Sequence, residues 1–336
     1  MDEPGKRREA SALNDIREDI IEVPLPLPFA LKVVNCYLIK GKNGFTIIDT
    51  GLHTDQDLQV WEEAQAKHGW SWNDVEKIVL THYHPDHYGL AGTLQQLTNA
   101  PVYLSRTDWG QAQFFFGRKS DMPERMAAFF AEHGLTEDWV KKIPGHLRSF
   151  HSWVEPHPEP TWIAPGETIR MGDRDYQVIH TPGHADGHLS FYDPERQIMI
   201  GGDFLLPKIT PNISLWPGAD PNPLATYLST LDKMKKVPVK RIFPAHGNAF
   251  THYRERIAQL EEHHEARLQL IAKYVRDLGE PTAYDVCKCL FGDRLSIHNL
   301  RFALSETLAH LEYLRVKGKM DLFEKEGTKR YRCKVD

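Results

Sequence analysis

The stretch Thr81-His82-Tyr83-His84-Pro85-Asp86-His87 sets three histidines and a carboxylate within six residues, directly after the apolar run 75–80. Imidazole and carboxylate are the ligands that borderline divalent metals favour. His82 and His84, two residues apart and projecting from a loop, can chelate one ion. Asp86 and His87 are then turned the other way and can begin a second site. Tyr83 and Pro85 read as spacers without chemistry of their own.

A two-metal site needs more ligands than one loop supplies. Thr181-Pro182-Gly183-His184 follows a strand signal that ends at His180, so His184 sits at a tight turn where a side chain can be aimed at a fixed point. Gly201-Gly202-Asp203 follows the strand signal 198–200, and its small residues allow close backbone approach. Pro244-Ala245-His246-Gly247 again puts a histidine just past a strand. One histidine or aspartate after a strand is more often structural. All three in this order, each at a strand end, are a strong signal.

This order resembles the metallo-β-lactamase superfamily, hydrolases with an αββα sandwich, whose pattern His-x-His-x-Asp-His, then His, Asp and His, is complete here. The resemblance implies that His82, His84 and His184 bind one metal, that Asp86, His87 and His246 bind another, and that Asp203 bridges them. Asp49, in Ile48-Asp49-Thr50-Gly51, matches a further superfamily motif that supports the ligands from behind. His188 repeats a superfamily pattern too, and a supporting role and a plain strand-initial role stand side by side for it. Ligation without cysteine matches the glyoxalase II-like branch. The implied cofactors are two divalent ions, zinc first, with iron or manganese as alternatives.

Two adjacent cations lower the pKa of a shared water, so a metal-bridging hydroxide is available near neutral pH. Asp86, both ligand and hydrogen-bond acceptor, is the expected catalytic residue that orients it. A thiolate leaves without strong acid assistance, and no dedicated acid stands in the motifs, which favours a thioester or activated ester of a small molecule. Two alternatives use the same scaffold: an endoribonuclease or phosphodiesterase, and a mono-iron persulfide dioxygenase. Homoserine-lactone lactonases carry a tyrosine three residues after the bridging aspartate. Leu206 occupies that position here, which weighs against lactone opening.

The elements that must position these residues follow from periodicity. Strand signals at 31–39 and 45–49 flank the turn Gly41-Lys42-Asn43-Gly44. A helix over 55–68 and the strand 75–80 lead into the histidine loop, and a helix over 88–97 and a strand over 102–104 follow it. This alternation predicts an α/β layered domain over 21–250. A helical insert at 105–160 interrupts it, rich in aromatics such as Phe115, Phe116 and Phe129 and closed by Pro156-His157-Pro158-Glu159-Pro160. Packing onto the main domain and forming an apolar lid are both open to the insert. Residues 1–20 read as a polar arm. Over 251–336, helices followed by a hairpin outline a small winged-helix-like domain.

Composition bounds the partners. The chain has 336 residues, 41% hydrophobic and 26% charged, with a formal charge of −5, which weighs against polyanions as partners. From Tyr253 onward 16 Lys and Arg face 14 Asp and Glu, too balanced for a phosphate-tracking surface. The leucine stripe Leu300, Leu304, Leu308, Leu311, Leu314 therefore points to packing or a homodimer rather than DNA. The four cysteines show no disulfide framework. No signal peptide or membrane-spanning run is evident, and a cytoplasmic location is expected.

Overall fold

Apolar side chains in the first strands alternate between two clusters, and that alternation builds the sandwich. In the computed structural model, which describes residues 19–29 and 31–334, Tyr37 and Ile39 join Ile48, Val79, Val178, Phe191, Ile200 and Phe243 between the two sheets. Cys36 and Leu38 point the other way, into a cluster shared with the helices. Residues 1–18 of the expected N-terminal arm lie outside the described residues.

The first sheet runs β1 (Ile20–Pro26), β2 (Val33–Lys40), β3 (Phe45–Ile48), β4 (Val75–Val79), β5 (Val102–Leu104) and β6 (Pro160–Trp162), in that spatial order. β1, β2 and β3 pair antiparallel, and the rest pair parallel. The second sheet holds β7 (Thr168–Met171), β8 (Arg174–His180), β9 (Leu189–Asp193), β10 (Ile198–Gly202) and β11 (Arg241–Pro244). Only β10 and β11 pair parallel there. The proline-punctuated segment 23–28 supplies most of β1. Pro24 and Pro26 are tolerated because β1 is an edge strand.

The connections are helical. α1 (Asp55–His68) starts where Thr54 Oγ1 accepts from Asp57 N at 3.1 Å and ends at Gly69 in the left-handed conformation. Its Trp61 is fully buried and donates Nε1–H to the Thr50 carbonyl at 3.0 Å. α2 (Pro85–Tyr88) and α3 (Ala91–Thr98) replace the single helix expected over 88–97. The insert holds four short helices, α4 (Arg106–Phe116), α5 (Met122–Glu132), α6 (Glu137–Val140) and α7 (Ile143–Arg148). Its proline-rich end returns the chain to the sheet as β6. α8 (Pro223–Met234) connects β10 to β11.

The C-terminal region has helices and a hairpin in the expected order: α9 (Tyr253–Leu278), α10 (Ala283–Phe291), α11 (Ile297–Val316), β12 (Met320–Lys325) and β13 (Thr328–Cys333). Glu326 and Gly327, with φ of 53° and 73°, make the two-residue turn that suits strand twist. All five leucines of the α11 stripe are buried within this one chain, so intrachain packing accounts for the stripe. α11 is buried on nearly every side, and Leu215 N–H donates to its Ser305 carbonyl at 3.1 Å. No helix among the described residues is long and apolar enough to cross a membrane.

Candidate metal centre

Every expected donor lies at one end of the sandwich. His82 follows β4, and His84 is the extended residue before α2, with φ −61° and ψ 148°. Pro85 is pre-organised for the first helical turn, so Asp86 and His87 rotate away from His82 and His84. Parallel pairing of β10 with β11 brings Asp203 and His246 to the same edge.

Two donor clusters result. His84 Nδ1 lies 3.0 Å from His82 Nε2 and 2.9 Å from His184 Nε2. His246 Nε2 lies 3.4 Å from Asp86 Oδ2, and His87 Nε2 lies 3.7 Å from the same oxygen. Asp203 faces both: Oδ2 is 3.3 Å from His184 Nε2, while Oδ1 is 3.5 Å from His246 Nε2 and 3.7 Å from His87 Nε2. Each of the groups His82–His84–His184, His82–His87–Asp203 and Asp86–His87–His246 keeps its donor atoms within 4.8 Å of one another.

Contacts behind the rings decide which nitrogen faces inward. His184 Nδ1 donates to the Asn212 carbonyl at 2.8 Å, and His246 Nδ1 to the Val33 carbonyl at 2.8 Å. His87 Nδ1 donates to Asp49 Oδ2 at 2.8 Å. Each bond leaves an Nε2 lone pair aimed at the cluster. Asp49 also accepts from Thr81 N and Thr81 Oγ1, both at 2.8 Å, from a backbone held at φ 57°. His188 resolves toward support: fully buried, its Nε2 accepts from Asp203 N at 3.1 Å. Gly202 allows that approach, since a Cβ there would sit 2.7 Å from His188 Nε2, at a φ of +51°.

The electrostatics fit cations. Burial keeps the His82 and His84 pKa values far below normal, so both rings are neutral donors. Burial would also lower His246 and His87, but the carboxylates around them win. Asp203 and Asp86 raise His246 to about 10, and Asp86, Asp49 and Asp203 push His87 well upward. Burial opposes ionisation of Asp86, yet His87 and His246 hold it at about 2. His87 Nε2 and Asp203 Oδ1 are buried with no hydrogen-bond partner. Such atoms are costly to leave unpaired, and divalent ions would satisfy both.

The Metallo-beta-lactamase superfamily profile matches residues 30–246. The chain belongs to this superfamily. A second profile, the metallo-beta-lactamase-like C-terminal domain, matches residues 271–334. The "Probable metallo-hydrolase YqjP" of Bacillus subtilis (strain 168) is 29% identical over 315 residues, spanning 89% of this chain and 93% of the relative. "Acyl-coenzyme A thioesterase MBLAC2" of Homo sapiens is 23% identical, spanning 64% and 74%. The crystal structure of the metallo-beta-lactamase family protein TTHA1429 from Thermus thermophilus superposes with a TM-score of 0.84 at 33% identity, covering 95% of this chain and 100% of that one.

On this metallo-β-lactamase scaffold five of the candidate donors, His84, Asp86, His184, Asp203 and His246, line a cavity of about 250 Å³. The insert contributes Phe115, Phe116, Met122, Leu147 and Phe150 to its wall. Phe129 instead packs on His133, with ring centroids 4.9 Å apart. Tyr83 and Pro85, expected as spacers, both line the cavity. The loop after β10 adds Leu206, Asn212 and Trp216, and α11 adds His298, Asn299, Arg301 and Phe302.

Motif spacing missed this last group because none of its members stands near a histidine motif. One signal for α11 was present. Its leucine stripe marks a packed helix, without saying which of its faces meets the cavity.

Proposed function

We propose that the chain is a metal-dependent hydrolase acting on a thioester or ester of a small acyl group. The observation that carries this is the shared Asp203, whose two oxygens face two donor clusters on the wall of a largely apolar cavity. His82, His84 and His184 would hold one ion, and Asp86, His87 and His246 the other, with zinc as the first choice. Bound there, the ions supply Lewis acidity and an activated water.

The chain's own groups do the rest. Asp86, part of both the donor set and the cavity wall, accepts a hydrogen bond from the attacking water at a carboxylate oxygen and so orients it. The apolar wall excludes bulk water from the acyl group.

The leaving group is best a thiolate. Burial pushes the Tyr83 phenol well above its ordinary pKa, and Arg301, although lowered by burial, still lies at about 10. Neither readily gives up a proton at neutral pH. Support also comes from the relative named as an acyl-coenzyme A thioesterase. A polynucleotide finds little here, since Arg301 is the one Lys or Arg among the cavity-lining residues. Leu206 lines the cavity as an apolar group where lactonases place a tyrosine. All four cysteines are free, in keeping with a reducing cytoplasm.

The test is a substrate panel of acyl thioesters, oxygen esters, lactones and phosphodiesters, run with the metal-loaded protein. Preferential cleavage of thioesters or esters is expected. Turnover confined to phosphodiesters, or oxygen uptake on a persulfide by a protein holding one iron, would overturn the proposal.

A further inference from the structure

His298, Arg301 and Phe302 stand at i, i+3 and i+4 on α11, so they share one face, and all three line the cavity. Arg301 is only 8% exposed. Among the described residues no carboxylate pairs with it and no acceptor takes a hydrogen bond from its guanidinium. Its Nε is buried and partnerless. Keeping a cation in that state is costly unless something outside the chain completes it.

Three rings surround the guanidinium. Its central carbon lies 4.0 Å from the Phe302 centroid, 5.2 Å from Phe150 and 5.4 Å from Trp216. Aromatic faces stabilise the cation through its flat sides. The N–H edge then remains free to receive a carboxylate through two parallel hydrogen bonds.

A run of rings links this place to the metal donors. Centroid separations are 4.7 Å for His84–Tyr83, 5.4 Å for Tyr83–Phe115 and 6.2 Å for Phe115–Trp216. An acyl chain lying along these rings joins the two polar sites through an apolar passage.

We propose that Arg301 receives a carboxylate at the far end of the acyl group, making the preferred substrates half-thioesters or half-esters of dicarboxylic acids. This deepens the hydrolase assignment and rests on it. A carboxylate suits the site better than a phosphate. Arg301 is the one Lys or Arg among the lining residues, and His298, stacked on Phe29 at 4.5 Å, is held neutral by burial with a pKa of about 4. One guanidinium neutralises one charge, whereas a phosphate dianion keeps a second charge in apolar surroundings.

The test is calorimetric titration of the metal-loaded protein with glutarate, pentanoate and inorganic phosphate, alongside Arg301→Met and Arg301→Lys. Glutarate is expected to bind the parent about tenfold tighter than pentanoate. Arg301→Met should erase that advantage. Arg301→Lys, which keeps the charge and loses the fork, should fall between. Equal affinities in the parent, or a glutarate advantage surviving in Arg301→Met, overturns the proposal. So does Arg301-dependent phosphate binding as tight as that of glutarate.

Folding is a separate check. Arg301→Met replaces an uncompensated cation with an apolar chain and should melt no lower than the parent. A clear fall would mark Arg301 as a structural group and overturn the assignment. If glutarate is preferred through Arg301 but no thioester or ester is cleaved, the hydrolase assignment fails while the carboxylate site stands.

Discussion

The Asn212 side-chain amide donates to Glu306 Oε2 at 3.1 Å, tying the loop after β10 to the C-terminal helix α11. The carbonyl of the same asparagine accepts from His184 Nδ1 at 2.8 Å. Two bonds thus connect the C-terminal region to a candidate metal ligand. Arg267 completes the link with an ion pair to Glu306 at 3.3 Å. The C-terminal domain is part of the site's framework as well as its wall.

Glu306→Ala is expected to lower metal affinity through His184 by about tenfold or more, the usual effect of loosening a group behind a ligand. Glu306→Gln keeps an acceptor for Asn212 and should lose much less. A competition titration with a chromogenic chelator reads the difference. Equal affinities for the two variants would detach Glu306 from the metal site.

Asp49→Asn isolates the charge behind His87. Asparagine tolerates the left-handed backbone, but it presents one acceptor oxygen to three donors and turns an N–H₂ toward them. Stability should fall by about 1–3 kcal/mol and metal affinity by about tenfold or more, measured by urea unfolding and metal titration. A parent-like variant would make the Asp49 contacts incidental.

Acid should weaken the C-terminal layer. His264 Nδ1 and His310 Nε2 lie 3.1 Å apart, and burial depresses their pKa values to about 2 and about 4. In the unfolded chain both titrate near about 6.5. Below that value the unfolded state binds more protons, so this contribution is complete above about 6.5 and is lost as pH falls toward about 4. The slope approaches about 1.4 kcal/mol per pH unit for each ring. Thermal melts of chelator-treated protein from pH 7.5 to 5 should show the decline, and His310→Gln should make it shallower by up to about 1.4 kcal/mol per pH unit. A pH-independent midpoint would contradict the buried neutral pair.

The insert separates into two roles. Phe115→Ala should raise KM several-fold with unchanged metal content, because the ring lines the cavity. Phe129→Ala should leave KM alone and cost about 3–5 kcal/mol or less in stability, since it packs on His133 and is only partly buried. Steady-state kinetics and melting curves on the pair distinguish wall from core.

The candidate donor set was legible because its chemistry is concentrated: His82, His84, Asp86 and His87 lie within six residues, and the later candidates each follow a strand. Most strands were legible as β-rich runs bounded by turns, apart from β6, hidden in the proline-rich close of the insert, and β1, whose prolines left it an extended segment until the edge position admitted them. Arg301, His298 and Asn212 were not legible. They reach the cavity only through the docking of α11 on the loop after β10, a tertiary contact that leaves no spacing in the chain. Tyr83 was overlooked for a different reason. Its aromatic neighbours Phe115 and Trp216 come from distant segments, and without them it is one tyrosine between two histidines.

The shared Asp203 is tested most directly by metal stoichiometry. Elemental analysis of the metal-loaded parent should give two divalent ions per chain together with thioester or ester hydrolysis, and Asp203→Ala should lose both the full complement and turnover. An Asp203→Ala protein that keeps two ions and parent-like hydrolysis would contradict a two-metal centre bridged by this residue.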